Sequence, residues 1–373
     1  MVRVASLVFN SFINDSRVLK EGMSLVKNGY EVEIIAHHDK GLEKEERQGE
    51  LFIKRLAYLD RTVTKGKIGK LKAYLLFLKE SVNYCKHFNI LHCNDINMLP
   101  IAVIIKKYYN KDVKIVYDAH EYETETYALL GIQKKITKFS EKFLIKYADK
   151  VITVSDSIAN EYVKLYGIEK PALVLNTPPH KEIEKKDIFR EKFDIDKEDT
   201  IFLYQGGVSK GRGILEFADL IKNKKNVSYV IMGYGSLEHE IKEYASKCNN
   251  IYFHESVAPD VLLDYTSSAD IGVCIEENLC KSWDYALPNK MFEYHMVCLP
   301  IIVSGLYEMK KFVKENDTGY ILDNIFDQKE FDNKLQKIIE TYKDKKVNID
   351  RVRKIYNWEE QEKVLLNIYK DLE

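Results

Sequence analysis

The chain has 373 residues, 45% of them hydrophobic and 31% charged, with six cysteines and a formal net charge of −1. That length is too great for one core and calls for two domains, while no apolar run reaches the roughly 18 residues of a membrane span. The cysteines (Cys85, Cys93, Cys248, Cys274, Cys280, Cys298) form neither a CxxC pair nor a metal spacing with histidine, so reduced thiols in a cytoplasmic chain are expected. The opening MVRVASLVFNSF lacks the layout of a signal peptide. Charge is uneven: residues 1–170 hold 28 Lys and Arg against 22 Asp and Glu, and residues 171–373 hold 29 against 36. The front half is therefore the basic one, which suggests an anionic neighbour.

In chain order, residues 2–9 are predicted as a buried strand and 10–16 as a loop. Residues 18–26 follow as a helix with Leu19, Met23, Leu25 and Val26 apolar, and 30–36 as a second strand. This is a βαβ unit, the start of a parallel doubly wound sheet. No GxGxxG follows the first strand, which counts against nicotinamide binding. The loop reads NDSRVLKEG instead. Arg17 falls in the first helical turn at the carboxyl edge of the strand, where open α/β sheets bind ligands. A surface arginine paired with Asp15 is the alternative.

Residues 51–56 are a further strand. A basic stretch (Arg61, Lys65, Lys67, Lys70, Lys72) leads into a helix made amphipathic by Leu71, Leu75, Leu76 and Leu78. A second basic helix, about 132–146, sets Lys134, Lys135, Lys138, Lys142 and Lys146 against Ile132, Ile136, Phe139 and Phe143. Such helices either lie on an anionic bilayer surface or are simply solvated. Between them, strands at 89–93 and 113–117 flank an apolar helix at 101–109, and Asp118-Ala119-His120-Glu121 follows the second strand directly. A strand at 151–154 and a helix from Asp156 end the first domain, and Val174-Leu175-Asn176-Thr177-Pro178-Pro179 leads into a linker stiffened by its prolines.

The alternation then restarts. Strands are predicted at 200–204, 227–232, 250–253 and 270–275, with helices at 214–221, 237–245 and 260–265, and two final helices at 328–342 and 358–372. The loop YQGGVSKGRGI follows a strand and opens a helix; its glycines allow a phosphate to approach the backbone, and Lys210 and Arg212 supply charge. The stretch DYALPNKMFEYHMVCLPIIVS reads as a turn, a helix and a buried strand. Pro288 suits a first helical turn, and the amides of Asn289, Lys290 and Met291 would face an anion there. Glu293 stands one turn on with acceptor oxygens for hydroxyls. A phosphate and a ribose together describe a nucleotide.

These motifs resemble those of one family. LPNK-M-FEY with LPIIVS, NDSRVLKE followed by GYEV, and YDAHEYETE resemble the group 1, family 4 glycosyltransferases of GT-B fold, in the same order along nearly the whole chain. The resemblance implies two Rossmann-like parallel-sheet domains facing a cleft. An acceptor-side domain would span 1–178, with the last helix, 357–373, crossing back to it, and a nucleotide-sugar domain would span 179–356. It implies retaining transfer of a sugar from a nucleoside diphosphate, UDP being the common donor, to a glycan or polyprenyl-linked acceptor in surface polysaccharide synthesis. It also implies a cytoplasmic place, peripheral to the membrane's inner face.

On that pattern His120 reaches the donor sugar, Arg212 and Lys290 stabilise the leaving diphosphate, and Glu293 binds the ribose. Asn14, Arg17, Glu121, Gly206, Gly207, Lys210, Tyr285, Pro288, Asn289 and Met291 complete the donor and acceptor contacts. No DxD-type acidic cluster follows a strand suitably, so neither metal nor cofactor is expected, and no nucleic-acid partner. Two positions depart from the pattern. Gly207 stands where a cation is common, and Tyr285 where a sugar-binding glutamate is common, a role open to Asp284, Glu276 or Glu277. A non-catalytic sugar-nucleotide-binding subunit and a GT-B epimerase are the alternatives.

Overall fold

The computed structural model describes residues 1–13, 15–58 and 66–373, together with the backbone but not the side chain of Lys67. Asn14, Arg61 and Lys65 lie outside the described residues. The chain divides into two compact units, Met1–Leu175 with Gln361–Glu373, and Asn176–Glu360.

Unit 1 holds strands β1 (Arg3–Leu7), β2 (Glu31–His37), β3 (Glu45–Gln48), β4 (Leu51–Leu56), β5 (Ile90–Asn94), β6 (Lys114–Ala119), β7 (Lys150–Thr153) and β8 (Ala172–Leu173). Between them run helices α1 (Ser16–Lys27), α2 (Gly66–Cys85), α3 (Leu99–Tyr108), α4 (Gly131–Leu144) and α5 (Asp156–Tyr166). The sheet order is β3-β4-β2-β1-β5-β6-β7-β8, parallel except for β3, which runs against β4. Strand order reverses between β1 and β5, so the crevice beyond their carboxyl ends is the natural ligand position in this unit. The helix starts are specified locally. Asp15 accepts from the Val18 amide at 3.2 Å and Ser155 from the Ile158 amide at 3.3 Å. Asp15 thus caps α1 and does not pair with Arg17.

Unit 2 holds β9 (Thr200–Gly207), β10 (Val227–Tyr234), β11 (Ile251–Glu255), β12 (Ile271–Cys274), β13 (Ile301–Ser304) and β14 (Gly319–Leu322) in the order β11-β10-β9-β12-β13-β14, all parallel. Its helices are α6 (Ile188–Phe193), α7 (Ile214–Ile221), α8 (Glu238–Ala245), α9 (Leu262–Ser267), α10 (Lys281–Asp284), α11 (Asn289–Met296), α12 (Tyr307–Asn316), α13 (Gln328–Thr341) and α14 (Lys346–Ile355). Here the switch falls between β9 and β12. One core runs through this unit, with Phe202, Phe217, Tyr229, Ile271 and Phe331 among its members.

Helix α11 lies tightly on this sheet. A Cβ at Gly272 in β12 would come within 2.3 Å of the Tyr294 ring. Tyr294 donates its hydroxyl to the carbonyls of Leu203 (2.9 Å) and Val273 (3.2 Å) and accepts the Gln205 amide at 3.0 Å. A tyrosine thus ties α11 to two neighbouring strands.

The last helix, α15 (Trp358–Lys370), starts in unit 2, and its residues from Gln361 onward belong to unit 1. There it buries Leu365, Ile368 and Tyr369. Strands β3 and β14 and helices α6, α10, α12 and α14 come in addition to the elements expected. β3 is an exposed, charged edge strand (EERQ) without apolar alternation. Helix α2 buries Ala73, Phe77 and Val82 rather than the expected leucines: Leu71 and Leu75 face water, and Leu76 and Leu78 are half-buried.

Candidate functional site

In unit 1 the candidate residues gather at the strand ends beside the switch. Arg17 is buried rather than a surface residue. Its Nε and Nη2 donate to both carboxylate oxygens of Asp118 at 2.8–3.1 Å, and Nη1 donates to the Val174 carbonyl at 2.7 Å. Burial alone would raise the Asp118 carboxyl, but Arg17, and then His120, hold it well below the usual carboxylate range. His120 lies 3.2 Å from Asp118 through Nε2 and 3.5 Å from Asp95 through Nδ1. Burial would lower its pKa, yet Asp118 outweighs burial and raises it to about 9. The imidazole is therefore a cation at neutral pH, available as a donor to anionic or hydroxyl oxygens. Glu121 beside it is exposed.

A second line of contacts reaches Asp118 from behind. His92 in β5 meets the Tyr369 hydroxyl at 2.7 Å through Nδ1 and sits with Nε2 3.5 Å from Asp118 and 3.6 Å from Glu21. Glu21, His92 and Asp118 bring three ligand-type atoms together, but the Arg17 guanidinium already lies 3.1 Å from Glu21 and 2.8 Å from Asp118. Those carboxylates have their cation in that arginine.

Asp95 was not expected. It follows β5 directly with φ at +67° and donates its amide to the Asp118 carbonyl at 2.9 Å. Holding a residue with a Cβ in that conformation costs of order 1–3 kcal/mol, which marks a position fixed by its surroundings. The signal in the sequence was a polar Asn-Asp pair closing an apolar strand at a carboxyl edge.

In unit 2 the site forms at the β9/β12 switch. The Gly-rich loop leaves β9 at Gly206, whose φ is +120°, and Gly207; both are exposed, as is Lys210 further on. Gly211 packs against Trp283 and Leu279 so closely that a Cβ there would meet the indole at 2.6 Å. The same indole lies 4.9 Å beneath the Arg212 guanidinium. Arg212 is ion-paired to Glu276, a buried carboxylate just past β12. Lys290, nearly buried in the first turn of α11, lies 4.0 Å from the same Glu276 and 4.2 Å from the centre of the Tyr204 ring. Both cations stay charged: burial would lower each pKa, but Glu276 and Tyr204 are among the groups that raise Arg212, and Tyr204, Cys274 and Glu276 outweigh burial at Lys290. Two cations thus share one carboxylate, which leaves this trio with a net positive charge.

The start of α11 differs from expectation in one respect. Pro288 is the N-cap, and the Met291 amide donates back to its carbonyl at 3.0 Å, so the amides of Asn289 and Lys290 are those left facing outward. The Met291 side chain is buried. Glu293, half-buried one turn on, accepts from Gln205 Nε2 at 2.6 Å, and Gln205 Oε1 in turn accepts from Thr266 at 2.8 Å. Gln205 was also missed; a polar residue closing the apolar run TIFLY was its signal. Tyr285 is half-buried between Lys281, 4.9 Å above its ring, and Tyr307. Of the carboxylates considered in place of a glutamate at 285, Glu276 is engaged by Arg212 and Lys290, and Asp284 accepts the Tyr307 amide at 2.8 Å.

Two doubly wound parallel units of this kind are the GT-B architecture. Residues 18–177 match Glycosyltransferase Family 4, and residues 185–355 match Glycosyl transferases group 1. The chain belongs to this family. It is 21% identical over 313 residues to a glycogen synthase of Fusobacterium nucleatum, covering 69% of this chain and 66% of the relative. It is 25% identical over 228 residues to the O-antigen biosynthesis glycosyltransferase WbnH of Escherichia coli, covering 59% of this chain and 62% of the relative. The matches therefore span under two thirds of these relatives' own lengths. Among solved structures, sucrose-phosphate synthase of Thermosynechococcus elongatus superposes with a TM-score of 0.81 at 16% identity, covering 100% of this chain and 99% of that one. HepE of Anabaena, in complex with UDP-glucose, gives 0.74 at 11% identity with both chains fully covered, 100% of each.

Proposed function

We propose that the chain transfers a sugar from a UDP-sugar to a hydroxyl of a glycan or lipid-linked acceptor, with retention at the anomeric carbon, in surface polysaccharide or glycoconjugate synthesis. The carrying observation is the pair Arg212 and Lys290 on the single carboxylate Glu276, with Glu293 one helical turn on from Lys290 in α11. A nucleoside diphosphate brings the negative charge that this pair lacks. A guanidinium grips two phosphate oxygens at once, while the ammonium and the amides of Asn289 and Lys290 complete the cradle. As the glycosidic bond breaks, charge grows on the departing diphosphate, and cations already fixed in place stabilise it without reorganising. This arrangement does the work of a divalent metal, so catalysis is expected to run without one.

Glu293, oriented by Gln205, is assigned the ribose hydroxyls. His120 as imidazolium is assigned the donor sugar. The leaving phosphate oxygen takes the acceptor proton, since no enzyme nucleophile is assigned. UDP is favoured because neighbours of like fold carry UDP or UDP-glucose, and the acceptor class because the curated relatives include O-antigen enzymes. The test is a thermal-shift screen of UDP, GDP, dTDP, CMP and NAD on wild type and Glu293→Ala. UDP should raise the melting temperature of the wild type alone. Stabilisation by NAD, or an equal UDP shift in both proteins, overturns the assignment.

A further inference from the structure

Helix α4 is inverted. Its apolar residues Ile132, Ile136, Phe139 and Phe143 recur every three or four positions and so share one stripe. That stripe faces water: each member is half or more exposed, Ile132 at 75% and Phe139 at 74%. What the helix buries is Glu141, whose carboxylate accepts the hydroxyls of Tyr117 (2.6 Å), Tyr162 (2.8 Å) and Tyr166. A helix that only covers a sheet does the reverse.

The first turns of α2 repeat the pattern. Ile68, Leu71 and Leu75 are more than half exposed, with Lys70 and Lys72 exposed among them. The connections β4 to β5, β5 to β6 and β6 to β7 all step the same way across the sheet, so right-handed crossovers put α2, α3 and α4 on one face. Their outer sides look in the same direction. Around the α4 stripe Lys135, Lys142 and Lys146 are exposed, and Lys134 and Lys138 pair with Glu125.

We propose that α4, with the start of α2, is a docking surface for an anionic lipid bilayer. The stripe would sit at the boundary between headgroups and acyl chains, with the lysines reaching the phosphates. A second copy of the chain is a poor occupant, because it would bring the same lysines face to face. The inference rests on the proposed function only for its consequence. Glu125 belongs to the loop that begins at His120, so a lipid-linked acceptor held at this surface would enter beside the strand ends of unit 1.

The full chain is co-sedimented with vesicles of phosphatidylcholine, alone or mixed with phosphatidylglycerol, at low and raised salt. Phe139→Glu with Phe143→Glu, and Lys135→Glu with Lys142→Glu, are run beside it. Partition into the anionic vesicles should exceed that into neutral ones by about tenfold or more, weaken with salt, and fall by about tenfold in each double variant. Both variants should keep the melting behaviour and UDP shift of the wild type, since the exchanged side chains are exposed. Equal binding to neutral vesicles, no binding to anionic ones, or variants that bind as wild type overturn the proposal. So does a dimer of the wild type that the phenylalanine variant dissolves. Vesicle binding without any UDP shift would sustain the surface and sink the donor assignment instead.

Discussion

His120 offers the sharpest test of the electrostatics in unit 1. Its folded pKa of about 9 stands above the ordinary 6.5 because Asp118 lies 3.2 Å away, itself held ionised by Arg17. That gap corresponds to about 3 kcal/mol of stability from the proton bound at this ring. Because the folded state holds the proton more tightly, the contribution is complete below pH 6.5 and is lost as pH rises through 9. The assay compares wild type with His120→Gln across that window. Both tryptophans, Trp283 and Trp358, lie in unit 2, so hydrogen exchange of the β6 amides reports the opening of unit 1 where fluorescence would not. The wild type should lose about 3 kcal/mol relative to the variant between pH 6.5 and about 10, and the ring itself should titrate near 9 by NMR. A ring that titrates near 6.5, or a difference that stays flat with pH, would refute the reasoning.

Tyr369→Phe removes the hydroxyl on His92 Nδ1 and leaves a buried ring nitrogen without its partner, which should cost about 1–3 kcal/mol in β5 exchange. The same change should move the His120 titration, a response that mere loss of packing on α15 would not give. Gly272→Ala drives a methyl into the Tyr294 ring, and three hydrogen bonds stop that ring from moving aside. A cost of about 1–3 kcal/mol is expected in thermal unfolding, together with a weaker nucleotide shift as α11 is displaced.

The βα alternation was readable throughout because buried parallel strands are short β-branched or aromatic runs between polar breaks. The candidate site of unit 2 was readable for a related reason: Gly206, Gly207, Arg212, Lys290 and Glu293 lie in two continuous stretches whose local shape fixes their place. What escaped depended on distance along the chain. Arg17 is separated from Asp118 by 101 residues, while the nearby Asp15 that invited pairing has a capping task of its own. Gln205 and Asp95 each looked like ordinary strand ends until Glu293 and His120 were set beside them. The polarity of α4 was visible as spacing, but which side faced the protein was not, since that depended on three tyrosines gathered around Glu141 from β6 and α5.

The ownership of Tyr369 has a consequence for synthesis. A ribosome completes β1 to β8 and then the whole of unit 2 before it supplies residues 361–373. Until then the nascent first unit lacks the side chains that cover Tyr30 and His92, and the carboxylates beside Arg17 have water where a helix belongs. Maturation of the His120 environment therefore comes late in synthesis, after both sheets have been made. A nascent chain stalled short of Tyr369 would carry both sheets and still lack this electrostatic setting.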